Sequence, residues 1–407
     1  MTGFYRDNAR WLMAGLILAF CSSFGQTFFI SLFASQIKAV YGLTDGGWGG
    51  IYTVATLISA ALLIQAGGLA DTVPIRRLTL MVLALYLVVV AGMALNTSTL
   101  VLVTLIAGLR FCGQGMMSHI SVTTMGRWFH AHRGRAVAVA GLGFSLGEAV
   151  LPAIVVALIG WIGWRATWGA VAGVFVLGFA PLFMWLLNES RRPKGVAEID
   201  LGSGIGGRHW RRREVLSHWL FWALMPGILA PSFIGTAAFF HQVHVSEVKG
   251  WDLAQMVLGY PIMAAVTVAS SLACGWLVDR IGPVSLLPFY LLPMALGITV
   301  IAPGGIAGES VGSWYLMMAL IGLTQGASVT LVGALWPELY GTRNLGAIKA
   351  LATSAMVFST ALGPGVTGML IDAGISFPDQ TWGFALWCLL ASGMFVAVRS
   401  RLRVEMA

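Results

Sequence analysis

Residues 104–117 read TLIAGLRFCGQGMM, an apolar stretch that carries one charge, the guanidinium of Arg110. The stretch lies inside a longer apolar run, 99–127, which is long enough to cross a lipid bilayer as a helix. A charged guanidinium within a membrane is costly unless it faces water, a partner or a ligand. Arginine does not escape this cost by losing its proton. The fold must therefore provide water, a polar partner or a ligand for the guanidinium of Arg110.

The rest of the chain has the same apolar character. Of its 407 residues 58% are hydrophobic and 10% are charged, whereas a soluble domain carries about 25% charged residues. Apolar runs bounded by charges or turn residues predict twelve spans, numbered here in chain order: 11–38, 46–70, 75–95, 99–127, 134–161, 165–188, 217–245, 253–278, 283–303, 312–337, 345–372 and 381–399. We therefore expect an all-α membrane protein with 12 transmembrane helices in two pseudo-symmetric six-helix bundles.

The interval between spans six and seven divides the chain. Residues 189–216 are polar, basic and glycine-rich, which predicts a cytoplasmic linker between bundles at 1–188 and 217–407. With the N-terminus on the cytoplasmic side, 20 of the 24 Lys and Arg residues lie on that side of the membrane. Only Lys38, Arg165 and Lys249 lie on the outer side, and Arg110 lies within the membrane. This asymmetry predicts that both termini are cytoplasmic. We expect the protein in the plasma (inner) membrane. Because orientation explains the basic charge, we expect no nucleic-acid partner.

Signals of an enzyme or of a metal site are missing from the sequence. The four cysteines form no C-x-x-C pair, and the chain has no Walker A, GxGxxG or HExxH motif. We expect no enzyme activity, no cofactor and no metal. Without a nucleotide-binding motif, transport would have to be driven by a gradient.

The two halves repeat weakly. The loop after span two contains GGLAD at 67–71, and the loop after span eight contains GWLVDRIG at 275–282. Gln114-Gly115 in span four recurs as Gln325-Gly326 in span ten, and the glycine pair Gly143 and Gly147 in span five is echoed by Ser359 and Gly363 in span eleven. The offsets of 208, 211 and 216 residues are about half the chain, a plan known among transporters.

On these residues the chain resembles the major facilitator superfamily, whose loop signature is G-x-x-x-D-R-x-G-R-R/K. The first copy keeps Gly67, Asp71, Arg76 and Arg77, with Thr72 and Pro74 at two other signature positions, and the second keeps G-x-x-x-D-R-x-G intact. The resemblance implies a conformational latch at the cytoplasmic ends of the helices; the alternative is an ordinary solvated turn. The expected latch residues are Gly67, Asp71, Arg76, Arg77, Gly275, Asp279 and Arg280.

Within the superfamily the chain is similar to the monocarboxylate and oxalate/formate branch. The stretches that carry this similarity are RFCGQG at 110–115, RWF at 127–129 with RGRA at 133–136, and ALGPG at 361–365. Span one carries Gln26 where that branch tends to carry a lysine, and span eight has no charge between Asp252 and Asp279. The resemblance implies a secondary active transporter for a small organic anion.

Polar side chains inside the spans mark the candidate site. Counting about 1.5 Å per residue from the inner ends of the helices places Gln26, Arg110, Glu148 and Gln325 at similar depths of about 20 to 25 Å. Gln114 follows Arg110 by one helical turn, and Ser22 shares a face with Gln26 by the same spacing. We expect Arg110, Gln26, Gln114, Gln325 and Ser22 to bind substrate. In the superfamily, spans one, four, seven and ten line the central cavity.

Two interpretations of Arg110 remain open from sequence. Its planar fork could bind a substrate carboxylate, or it could be neutralised permanently by Glu148, the only acid expected in the membrane interior. Glu148 is accordingly either a proton-coupling residue or a fixed counter-ion. His241, near the outer end of span seven, is either a proton entry point or a polar residue at a wet interface. His119, nine residues after Arg110, is predicted to pack on the opposite face of span four.

Together these features predict alternating-access transport of a monocarboxylate-like anion, coupled to a proton or a counter-anion and embedded in a lipid bilayer. The alternative is efflux of amphipathic or cationic small molecules, in which Glu148 would meet the substrate. A transporter-like sensor is a third possibility, although such proteins usually carry a signalling extension.

Overall fold

A computed structural model of the protein describes residues 2–129, 133–188, 204–305 and 310–406, and within these ranges the secondary structure is helical, with no strand. Ten helices are long and apolar enough to cross a membrane. They are spans two to eight and ten to twelve: Asp45–Ala66, Ile75–Leu95, Thr99–Trp128, Gly134–Ile162, Trp164–Leu186, Trp219–Phe240, Leu253–Ile281, Gly312–Tyr340, Leu345–Asp372 and Phe377–Ser400.

The remaining two spans are interrupted. Span one consists of Ala9–Gly25 and Thr27–Tyr41, which meet at a bend of 45°. Span nine contains the short helices Pro283–Leu286 and Leu292–Thr299, joined by turns. The all-helical membrane fold with twelve spans is confirmed, but the prediction that span one is one continuous helix is wrong.

The chain forms two compact units, Met1–Glu198 and Ile199–Ala407, each with six spans. The boundary falls inside the segment 189–216 that we interpret as a linker, of which 189–203 lie outside the described residues. From Gly204 onward this segment packs on the second unit, because the backbone N–H of Trp210 donates to the carbonyl of Tyr340 at 3.0 Å.

Close helix packing in the first unit depends on glycine. A Cβ atom at Gly143 would collide with the carbonyl of Leu16, and one at Gly147 would collide with the hydroxyl of Ser23. Small residues allow membrane helices to approach at backbone distance, where dispersion contacts hold them together. Spans five and one are therefore in direct contact along the segment that leads to the bend.

The second unit uses the same device between spans eight and ten. A Cβ atom at Gly322 would lie 2.8 Å from the carbonyl oxygen of Met263, and one at Gly326 would collide with the carbonyl of Thr267. The repeated Gln-Gly pair thus has a packing reason in span ten. In span four the matching Gly115 is less crowded, with its nearest atoms 3.5 Å away.

Candidate functional site

The candidate site of the first unit is built around the break in span one. The α-helix Ala9–Ser22 gives way to a 3₁₀ turn over Ser23–Gly25, and Gln26 is extended (φ −82°, ψ 157°) before the helix resumes at Thr27. Such irregular backbone at membrane depth is tolerated where it is buried in protein or lines a cavity. The break leaves the carbonyl of Gly25 outside the regular helical ladder.

Arg110 satisfies that carbonyl. Its Nη1 atom donates to the backbone oxygen of Gly25 at 3.2 Å and contacts Thr27 Oγ1 at 3.3 Å. The guanidinium carbon also lies 5.2 Å from the ring centroid of Tyr52, whose hydroxyl is 2.7 Å from Thr27 Oγ1. One side chain, 1% exposed, therefore connects spans one, two and four.

Glu148 is not the partner of Arg110. The ion pairs among the described residues include none to Arg110, and its Nε atom is buried without a hydrogen-bond partner there. Glu148 is half-buried on span five, directly after Gly147, which touches Ser23. The fixed Arg110–Glu148 pair that we considered is thus not formed, because the guanidinium points to the break in span one.

Span four changes its winding at Arg110. Residues Arg110–Met117 form a π-helix, a rare form that is common at functional sites. One extra residue per π turn rotates everything that follows by about 100° relative to an uninterrupted α-helix. The Nε2 atom of His119, just after this π-helix, lies 3.1 Å from the carbonyl oxygen of Gly67.

Two more buried polar atoms near the break have no hydrogen-bond partner among the described residues, the hydroxyls of Ser23 and Tyr86. A Cβ atom at Gly113 would collide with the Tyr86 hydroxyl and lie 2.7 Å from Gly25 Cα, so this hydroxyl is beside the break. A buried unsatisfied polar group costs about 1–3 kcal/mol. Together with Arg110 Nε, these atoms are suited to hold a polar ligand.

Aromatic rings surround these polar atoms. Phe24 contacts Phe29 and Phe175 with centroid distances of 5.1 and 5.2 Å, and Tyr86 lies 4.9 Å from Phe175. Phe175 begins a second π-helix, Phe175–Phe179, in span six. Sequence reasoning missed Tyr86, Tyr52 and Thr27; the signal available was that each is a polar side chain within an apolar span.

The predicted substrate residues of the first unit differ in exposure. Gln26, in the break, is half-buried, and so is Gln114, in the π-helix. Ser22 is fully buried and its hydroxyl donates to the carbonyl of Ala19 at 2.6 Å. Ser22 and Gln26 do not share a helical face as expected, since the helix ends at Ser22 and the break separates them.

In the second unit, Gln325 of span ten and His241 of span seven have different packing partners. The side-chain amide nitrogen of Gln325 would lie 2.9 Å from a Cβ atom at Gly235, so span ten packs there on span seven. His241 is 2% exposed, and its Nε2 lies 2.8 Å from Thr367 Oγ1 of span eleven. His241 is therefore buried between helices and not at a wet surface.

The first copy of the loop signature is held by span four. Arg127 Nη1 lies 2.7 Å from the carbonyl oxygen of Ala70, and His119 contacts Gly67. Arg76 and Arg77 are exposed, and the side chain of Asp71 lies outside the described residues. The loop contacts thus come from Arg127, which we had assigned no role in the latch.

The second copy of the signature is more open. Gly275 is half-buried, whereas Asp279 and Arg280 are exposed, with the Arg280 guanidinium 3.9 Å from the ring centroid of Trp276. Gly282 has φ +75°, a left-handed conformation that favours glycine, and ends span eight. The carboxylate of Glu338 in span ten approaches this turn.

This architecture is that of a membrane transporter. The sequence profile of the Major Facilitator Superfamily matches residues 15–364, and the chain belongs to that family. It is 23% identical over 392 residues to an oxalate:formate antiporter of Oxalobacter formigenes, covering 90% of this chain and 89% of the antiporter. Over 252 residues, 56% of this chain and 57% of the relative, it is 26% identical to monocarboxylate transporter 13 of Bos taurus.

A solved structure shares the fold. A bacterial homolog of the human lysosomal transporter Spinster, in an inward-facing and occupied conformation, superposes with a TM-score of 0.73, covering 98% of this chain and 97% of that chain. At 17% sequence identity, this structural similarity shows a shared fold and nothing about function. Family membership and relatives make the protein an integral membrane transporter of a small molecule, rather than an enzyme.

Proposed function

We propose that the protein is a secondary active transporter that works by alternating access and moves a small, monocarboxylate-like organic anion, coupled to a proton or a counter-anion. The observation that supports this best is the buried guanidinium of Arg110, which forms no ion pair among the described residues and keeps Nε unbonded there. The printed names of two relatives, oxalate:formate antiporter and monocarboxylate transporter, agree with a carboxylate substrate.

The contacts of Arg110 suggest how binding would act on span one. Its bonds to Gly25 and Thr27 have neutral acceptors. A carboxylate adds charge–charge attraction and can bind the guanidinium fork with two parallel hydrogen bonds, which a single neutral oxygen cannot do. A substrate carboxylate would therefore compete for the guanidinium and release the carbonyl of Gly25. In this proposal, the anion loosens the break in span one, while Tyr86 and Gln26 supply further hydrogen bonds.

Glu148 is the proposed proton-coupling residue, and His241 is a second candidate. Glu148 follows Gly147, which packs against the hydroxyl of Ser23 beside the break, and that hydroxyl has no hydrogen-bond partner among the described residues. An anion arriving at Arg110 would favour the protonated form of a carboxyl group nearby, because like charges repel. His241 could relay a proton only if its contact with Thr367 opens, since the ring is buried.

Efflux of an amphipathic or cationic compound remains the second candidate. Two observations favour it: the aromatic cluster of Phe24, Phe29 and Phe175, and a carboxylate on span five, that of Glu148, which makes no ion pair among the described residues. In either case we propose the plasma (inner) membrane, cytoplasmic termini, and a latch role for the two loop copies.

The test is counterflow in proteoliposomes with lactate, pyruvate, oxalate and formate. Arg110→Gln should abolish counterflow of the transported carboxylate, and Arg110→Lys should retain little, because the fork geometry is lost. Arg165→Gln is the matched control: Arg165 also donates to a backbone carbonyl, that of Asn96, at 2.7 Å, outside the break. Carboxylate transport by Arg110→Gln at the parent rate would contradict the anion proposal.

A further inference from the structure

A cleft of about 420 Å³ lies in the second unit, where the segment preceding span seven folds back. Its lining residues are Arg208, Trp210, Arg213, Glu214, Ser217 and His218. None of them belongs to the candidate transport site. The cleft combines two guanidinium groups, a hydroxyl and an imidazole around one indole ring, which is the chemistry of a site for a phosphate group.

The floor of the cleft is anchored to the ends of spans ten and eleven. Both backbone groups of Trp210 are bonded, its N–H to the carbonyl of Tyr340 at 3.0 Å and its carbonyl to the side-chain amide of Asn344 at 2.9 Å. The indole ring, 8% exposed, lies 4.5 Å from the ring of His218, whose Nδ1 is 3.2 Å from the Tyr340 hydroxyl. The floor is therefore preorganised by contacts within the unit.

The charge of the cleft is positive. Arg208 is placed with its guanidinium carbon 4.0 Å from the Trp210 ring centroid and one nitrogen 3.6 Å from a Glu214 oxygen. Arg213 is exposed, and its guanidinium makes no hydrogen bond or ion pair among the described residues, whereas its backbone carbonyl accepts a hydrogen bond from the Ser217 hydroxyl at 3.1 Å. The cleft lining carries two arginines against one glutamate, so the charge of Arg213 remains after the Arg208–Glu214 pair is formed.

Two exposed tryptophans relate the cleft to the membrane surface. Trp219 and Trp222, at the start of span seven, are 40% and 57% exposed. The indole N–H of Trp222 donates to the carbonyl of Leu216, in the short helix Arg212–Ser217 that borders the cleft, at 2.8 Å. Tryptophan at the ends of spans concentrates at the level of lipid headgroups. The cleft therefore lies at that level, within reach of phospholipid phosphates.

We propose that this cleft binds the phosphate of an anionic phospholipid headgroup, with Arg213 and Arg208 as the cationic ligands. The lipid would brace the segment before span seven against the ends of spans ten and eleven. This site is separate from the proposed transport site, and neither depends on the other.

The experiment is native mass spectrometry of the full-length protein in detergent with added phosphatidylglycerol or phosphatidylcholine of equal chain length. The wild-type protein should retain phosphatidylglycerol over phosphatidylcholine by about fivefold or more. Arg208→Gln/Arg213→Gln should reduce this preference to less than about twofold, because both cationic ligands are lost. Arg211→Gln/Arg212→Gln removes the same charge from the same segment outside the cleft lining, and should keep the preference.

Equal loss in both double variants, or no preference in the wild type, would overturn the site. Arg213→Gln alone leaves the Arg208–Glu214 pair intact and should also lower the preference for phosphatidylglycerol. This second measurement does not depend on the fold of the double variant. Inorganic phosphate, added at the same concentration as the lipid, distinguishes the sources: if the cleft arginines retain inorganic phosphate but not phosphatidylglycerol, the occupant is a free phosphate and the lipid assignment is wrong.

Discussion

The Nη1 atom of Arg110 in span four donates to the carbonyl oxygen of Gly25 in span one, at 3.2 Å. Gly25 and Gly113 also meet backbone to backbone, since a Cβ atom at Gly25 would lie 2.9 Å from Gly113 Cα. The guanidinium of Arg110, which is costly to bury in a membrane, thus donates a hydrogen bond to the carbonyl of Gly25, which the bend in span one leaves without a helical partner.

Gly25→Ala should destabilise the protein by about 1–3 kcal/mol, because the added methyl group would collide with the carbonyl of Leu109. Thermal unfolding in detergent would show this as a lower midpoint. Gly50→Ala, in span two, is the control: no atom lies within 4 Å of the added carbon, so stability should hold or rise slightly. Equal midpoints for the two variants would contradict the close packing of spans one and four.

Tyr86→Phe should leave stability unchanged or slightly raised, since the hydroxyl it removes has no hydrogen-bond partner among the described residues. If that hydroxyl binds substrate, the same variant should raise the KM for the transported anion. Tyr52→Phe provides the contrast, because it removes the 2.7 Å bond to Thr27 and should cost about 1 kcal/mol. A Tyr86→Phe variant with parental KM and parental stability would exclude Tyr86 from the site.

Arg127→Gln should slow turnover more than it weakens substrate binding, because the carbonyl of Ala70 loses its cationic donor in the loop after span two. Counterflow rates and equilibrium binding of the anion, measured on the same preparation, separate the two effects. Arg76→Gln, in the first turn of span three after this loop, is the comparison, because Arg76 belongs to the loop signature and its side chain is exposed. The opposite ranking, with Arg76 essential and Arg127 dispensable, would return the latch to the residues expected from the loop signature.

Glu148→Gln should abolish gradient-driven accumulation while anion exchange continues, if Glu148 carries the coupled proton. The physical reason is that glutamine keeps the size of the side chain and removes its titration. Proteoliposomes with and without an imposed pH gradient make the comparison, and Glu247→Gln, an exposed acid, is the control. Accumulation that persists at the parental level in Glu148→Gln would assign coupling elsewhere.

The helical membrane fold could be predicted because hydrophobic length and the bilayer thickness leave few alternatives. Ten of the predicted runs correspond to long helices in the structure. Spans one and nine could be recognised as spans, but not as interrupted ones, because serine and glycine near a break also occur in unbroken membrane helices.

The neighbours of Arg110 could not be predicted from spacing. Depth counting brought Arg110 and Glu148 to a similar level, but it carries no information about which way a side chain points. The π-helix over Arg110–Met117 and the contact of His119 with the carbonyl of Gly67 were likewise not predicted. Gly113 of this π-helix packs against Gly25, and a contact between two spans cannot be predicted from the periodicity of either span alone.

The amino-acid sequence by itself determined the membrane class, the spans, the internal repeat and the presence of a buried cation, because each follows from composition and periodicity along one chain. Tertiary structure decided which groups satisfy that cation. The carbonyl of Gly25 became its partner because a break in span one exposed an acceptor within 3.2 Å, whereas the carboxylate of Glu148, on span five, formed no ion pair with it. The sequence shows that the buried guanidinium of Arg110 requires a polar partner, but only the distances in the folded structure decide which group that partner is.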